Sequence, residues 1–176
     1  MDELLPNEER IRWILERSAG LAAGGAEPVS GLVLPTNTFF PDHFDNTQKG
    51  VRQLLKRVVK LAGLSDIDVK ANVVSADGEA GGCSTGACGI DGAPAAVRRV
   101  EPRQNGWTVN VVASETGNPV VLTTAMVRAV SHIFMKEADL YGGFNRTTAE
   151  AGADLCGVML GFGTLLCNGA YIYKKG

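Results

Sequence analysis

Between Leu155 and Tyr173 the chain carries no charged side chain. A run of that length approaches a membrane span, so the fold must either bury one long apolar helix or place it in lipid. Its glycines argue for burial. Gly157, Gly161, Gly163 and Gly169 would each cost a helix about 1 kcal/mol relative to alanine, a loss accepted where a second backbone packs close. Gly157 and Gly161 also fit a small-xxx-small membrane pattern. Against lipid, Asp154 opens the run, leucine and isoleucine are sparse in it, and flanking anchors are weak. The run reads as a buried central helix of a water-soluble domain, with no membrane association.

The chain has 176 residues, a length that suits one domain with its own core. We take 1–176 as that domain, with 1–31 as an N-terminal helix and linker. Seventeen Lys and Arg against nineteen Asp and Glu leave a net charge of −2, which supplies neither a basic field for nucleic acid nor a polybasic membrane anchor. The opening Met1-Asp2-Glu3-Leu4-Leu5-Pro6 lacks the basic-then-apolar order of a signal peptide. With four cysteines and no export signal, the expected setting is reducing and cytoplasmic.

Asn7 caps a first helix whose apolar face is Ile11, Ile14, Leu15 and Ser18. Leu32-Val33-Leu34 reads as a short strand stopped by Pro35, followed by a turn-rich stretch with Phe39, Phe40 and Phe44 exposed. Helix two is the clearest element: Val51, Leu54, Leu55, Val58, Val59 and Ala62 recur on one face, with Lys49, Arg52, Lys56, Arg57 and Lys60 opposite, and Gly63 stops it. Strand-like runs cover Ile67–Ser75, Ala95–Val100 and Trp107–Ala113. Asn118-Pro119 starts a third helix that reaches about Leu140. Thr147-Thr148-Ala149-Glu150 reads as a capping box opening a fourth helix that continues to about Ala170. The order predicts an α+β domain, a small sheet packed against about four helices.

Three segments carry a family resemblance. Leu34-Pro35-Thr36-Asn37-Thr38-Phe39-Phe40-Pro41-Asp42 with the helix after Asp45 is similar to the opening of a family of small, uncharacterised bacterial proteins related to the minimal zincin metallopeptidases. Val130-Ser131-His132-Ile133-Phe134-Met135-Lys136 stands where that family carries His-Glu-x-x-His. Glu150-Ala151-Gly152-Ala153-Asp154-Leu155, running into Leu160–Gly163 and Asn168–Ala170, resembles its second active-site helix, where an acidic residue supplies the third ligand. The likeness covers most of the chain from about Leu32 and implies a zincin-like fold.

In His-Glu-x-x-His two histidines four apart hold zinc on one helix face, and the glutamate is the general base. Here the base position is Ile133 and the second ligand position is Lys136. Neither can do that work, so the resemblance implies a catalytically inactive relative. It also implies a vestigial site: Lys136 where the cation would sit, facing the carboxylate of Glu150 or Asp154, with His132 nearby. Local capping accounts equally for Glu150, and a core histidine for His132.

No cofactor is expected. Zinc on a mixed ligand set remains the alternative: His132 with Glu150, Asp154 or a loop cysteine, in a metal-dependent hydrolase. Cys83 and Cys88, five apart in the glycine-rich loop Gly81–Gly89, are too widely spaced for a zinc ribbon or a redox pair, though able to join if oxidised. Cys156 and Cys167, eleven apart on helix four, read as small buried hydrophobes on one face. The same loop lacks the ending of a phosphate loop. Three function classes follow: a non-catalytic protein binding a peptide or protein partner, the hydrolase just described, and a structural module self-associating through Phe39, Phe40 and Phe44.

Overall fold

In the computed structural model, residues 6–74 and 99–173 are described. Helix α1 (Glu8–Ala23) begins at Asn7, whose side chain accepts from the Arg10 N–H at 2.9 Å. Its packed face differs from the expected one. Ile11, Ile14 and Leu15 are exposed, while Trp13 meets Phe144 edge-on at 6.2 Å, Arg17 lies over the same ring and Leu21 is buried. Residues 13, 17 and 21 form the stripe that a helix lays on a neighbour. A large aromatic with a ring to meet wins over three aliphatic side chains.

Helix α2 (Gln48–Leu61) follows its sequence closely. The Thr47 hydroxyl accepts from the Gly50 N–H, and Val51, Leu55, Val58 and Val59 are buried. Phe39, Phe40 and Phe44 are partly buried against the core, so the loop before α2 covers the core rather than presenting three rings to solvent. Leu32–Leu34 forms no strand. Val33 alone is buried, and its N–H donates to the Gly161 carbonyl at 2.9 Å.

The sheet has three strands in the order β1 (Val69–Val74), β3 (Gly106–Val112), β2 (Val100–Arg103). Strand β1 runs parallel to β3, from Val69 opposite Trp107 to Val74 opposite Val112, and β2 is antiparallel to β3. The second strand falls later than the run Ala95–Val100 suggests, most of which lies outside the described residues. Gln104 and Asn105 form the hairpin turn between Arg103 and its partner Gly106. Gly106 has φ +126°, and a Cβ there would stand 2.0 Å from the Asp68 carbonyl oxygen. That close approach ties the hairpin to β1 and admits only glycine.

Helix α3 (Pro119–Glu137) is capped by Asn118, which accepts from the N–H groups of Val120 and Val121. It is the central helix: Leu122, Met126, Val127, Val130, Ile133 and Met135 are all fully buried. It ends earlier than Leu140.

The uncharged run does not form one regular helix. Helix α4 (Ala149–Gly157) passes through a π-helical segment, Val158–Phe162, into α5 (Gly163–Tyr173). Gly161 interrupts it at φ +94°, and a Cβ there would lie 2.3 Å from the Gly31 carbonyl oxygen. The loop carrying Val33 docks at this break. Ala149–Ala170 is long and apolar enough to cross a membrane, and half of its most apolar window is buried against the rest of the fold. Two of its glycines mark close approach to α3: Gly157 against Ser131 and Gly169 against Thr124. The arrangement is α+β, helices on a small mixed sheet.

Candidate functional site

Helices α3 and α4 pack against each other, and polar residues line their seam. Arg128, His132 and Lys136 recur every four residues on α3, as Glu150 and Asp154 do on α4. Arg128 Nε donates to Asp154 Oδ1 at 2.6 Å and its Nη2 to Oδ2 at 3.0 Å. One turn further, His132 Nε2 lies 3.5 Å from Glu150 Oε1. Each step of four toward the C-terminus of α3 matches a step of four toward the N-terminus of α4, so the two helices run antiparallel.

This register corrects the expected partner of Lys136. Another step along would set it opposite position 146, which precedes α4. Lys136 is exposed, with its ammonium 5.6 Å from the Trp107 ring centroid and 5.1 Å from that of Tyr141. Asp154 takes Arg128 in place of Lys136. A cation over two aromatic faces is held by their quadrupoles and needs no carboxylate. Beside it, Glu137 accepts a hydrogen bond from Trp107 Nε1 at 2.6 Å and so ties the end of α3 to β3.

His132 is 1% exposed. Its Nδ1 meets the hydroxyl of Tyr141, and the two rings stack with centroids 6.0 Å apart. Tyr141 stands in the 3-10 turn Tyr141–Gly143 that follows α3. Burial pushes its phenol up to about 12, and the charges of Glu150 and Cys156 push the same way. A phenol that keeps its proton donates to Nδ1, which leaves Nε2 as the protonated nitrogen of a neutral ring. Tyr141 is thus hydrogen-bonded to His132, whose Nε2 stands within ion-pair range of Glu150 Oε1 but makes no hydrogen bond among the described residues.

The capping explanation of Glu150 does not hold. The N-cap of α4 is Thr148, which makes no side-chain capping bond. Asn145 organises that turn, its Oδ1 accepting from the N–H groups of both Thr147 and Thr148. Glu150 is turned to the seam.

The residues at the seam do not fit a zinc centre of the family's kind. His132 Nε2 and Glu150 Oε1 are close enough to share an ion, but a tetrahedral site needs a third protein donor. The position four beyond His132 is a lysine over aromatic rings, and Asp154 is committed to Arg128. Ile133 is fully buried in the core. Among the described residues no three His, Cys, Asp or Glu side chains gather into a metal-binding group.

Cys83 and Cys88 lie outside the described residues. Cys156 is buried and its thiol is raised by that burial to about 12, whereas Cys167 is exposed. The irregular turn at Gly161 lies between them and breaks the phase that would set both on one face. The sequence reading missed Arg128 and Tyr141. Arg128 was signalled by its four-residue spacing with His132 and Lys136; Tyr141 carried no local signal. Set against protein-family models, curated proteins and solved structures, the chain matches none of them.

Proposed function

We infer that this chain is a zincin-like protein without catalysis, which binds a peptide or protein partner. One observation carries the reading: His132, at the first position of the degenerate motif, is bound into the fold by Tyr141 and faces Glu150. Both ring nitrogens are directed at protein groups. The place of the general base belongs to a core isoleucine, and the place of the second ligand to a cation held over Trp107 and Tyr141. Together these features support a polar cluster that holds two helices in register.

Hydrolysis of an unfolded protein substrate, with zinc supplied and after chelation, tests the reading alongside elemental analysis of the purified chain. We expect no hydrolysis in either state and no stoichiometric metal. Zinc-dependent cleavage that disappears in the His132→Ala variant would overturn it.

A further inference from the structure

An open groove of about 870 Å³ lies between α2 and β1, away from the polar seam at His132. Arg52, Lys56 and Lys60 form one wall, a stripe of exposed side chains at four-residue intervals on α2. None of the three makes an ion pair among the described residues. Two acids also line the groove, Asp66 and Asp68. Asp68 is neutralised by Arg103 at 2.7 Å and approached by Lys70 at 3.8 Å. A chain with a net charge of −2 therefore carries a locally cationic groove.

The other wall is a strand edge. In the order β1-β3-β2 the outer side of β1 pairs with no strand among the described residues. The Asp68 carbonyl accepts from the Trp107 N–H at 2.9 Å. In a parallel ladder alternate residues bond to the same neighbour, so Lys70 and Asn72 turn toward β3 as well. Val69, Ala71 and Val73 then present their N–H and C=O groups outward. An unpaired row of this kind is a template for another strand.

We propose that this groove binds an extended acidic peptide segment of a partner protein, added as a strand to the β1 edge with its carboxylates on Arg52, Lys56 and Lys60. The spacings agree. Side chains on one face of a strand recur every ~6.6 Å and residues four apart on a helix every ~6 Å, so alternating acidic residues match the basic stripe. A nucleic acid fits less well, because among the described residues no aromatic side chain lines the groove for bases to stack on. The inference rests on the binding reading above and gives it a location and a partner chemistry.

The test is fluorescence anisotropy of a labelled peptide of alternating glutamate and valine, titrated with the full chain. We expect saturable binding that weakens as salt rises. Reversing two exposed charges in Arg52→Glu/Lys56→Glu should weaken it by about tenfold or more, with helix content unchanged by circular dichroism. A peptide N-methylated at alternate residues keeps the charges and loses the strand bonds. It should bind the unaltered chain more weakly, a readout that does not depend on how any variant folds. The proposal is overturned if a control peptide of alternating lysine and valine binds equally well, if N-methylation has no effect, or if single-stranded DNA displaces the acidic peptide and binds more tightly. Zinc-dependent hydrolysis would sink the non-catalytic reading and leave the groove standing; failure of the peptide titration would do the reverse.

Discussion

Arg128 and Asp154 join through two hydrogen bonds of 2.6 and 3.0 Å, in the same helix register that brings His132 to Glu150. Both side chains are more than a third exposed, so the expected coupling is modest, about 0.5–1 kcal/mol. A double-mutant cycle of Arg128→Met and Asp154→Asn, read by urea denaturation, measures it. Zero coupling would mean that the pair adds nothing to stability.

Removing His132 should cost more. His132→Ala empties a fully enclosed place and strands the Tyr141 hydroxyl, a loss of about 2–4 kcal/mol. Tyr141→Phe removes only the hydrogen bond and should cost about 1 kcal/mol. Equilibrium unfolding of both variants checks the order; a Tyr141→Phe chain as stable as the parent would deny the link.

High pH should loosen the fold in two stages. Cys156 titrates at 9.0 when solvated and at about 12 in the fold, and Tyr141 moves from 10.0 to about 12. In each case the native state holds its proton more tightly than the unfolded chain. The associated stability is whole below the unfolded pKa and is lost as pH rises toward the folded one. Stability should therefore decline from pH 9 through pH 12. Cys156→Ala should flatten the decline between pH 9 and 10, while the Tyr141 contribution persists above that. Denaturant midpoints across this range provide the check.

Two glycine replacements should move stability in opposite directions. Gly161→Ala meets both a positive φ and the Gly31 carbonyl oxygen, and should cost about 2 kcal/mol or more. Gly20→Ala lies within α1 with nothing near its new methyl, and should gain about 0.5–1 kcal/mol. Thermal melts of the two variants suffice. A Gly161→Ala chain of unaltered stability would mean the break in the helix is not fixed by that residue.

Helix α2 and β3 were legible because their evidence is local. Apolar side chains recur at the period of the element, and Thr47 or Asn118 marks where a helix starts. The site was legible only in its parts. His132, Glu150 and Asp154 were singled out through the family resemblance alone, and a one-turn slip exchanges every partner across α3 and α4 while leaving each helix's own pattern unchanged. Helix α1 misled for a similar reason, since the sequence contains both the Ile11 stripe and the Trp13 stripe, and only the position of Phe144 selects between them.

By itself, the sequence determined that the chain builds helices on a small sheet, that an uncharged segment must be buried or membrane-bound, and that an isoleucine and a lysine stand one and four residues after His132. Tertiary structure alone decided that Gly161 breaks the uncharged segment, that Arg128 takes Asp154, and that Lys136 rests on aromatic faces. The division has a physical cause. Periodicity and capping arise within a few residues of the chain, whereas the sliding register of two helices is set by the packing of distant segments.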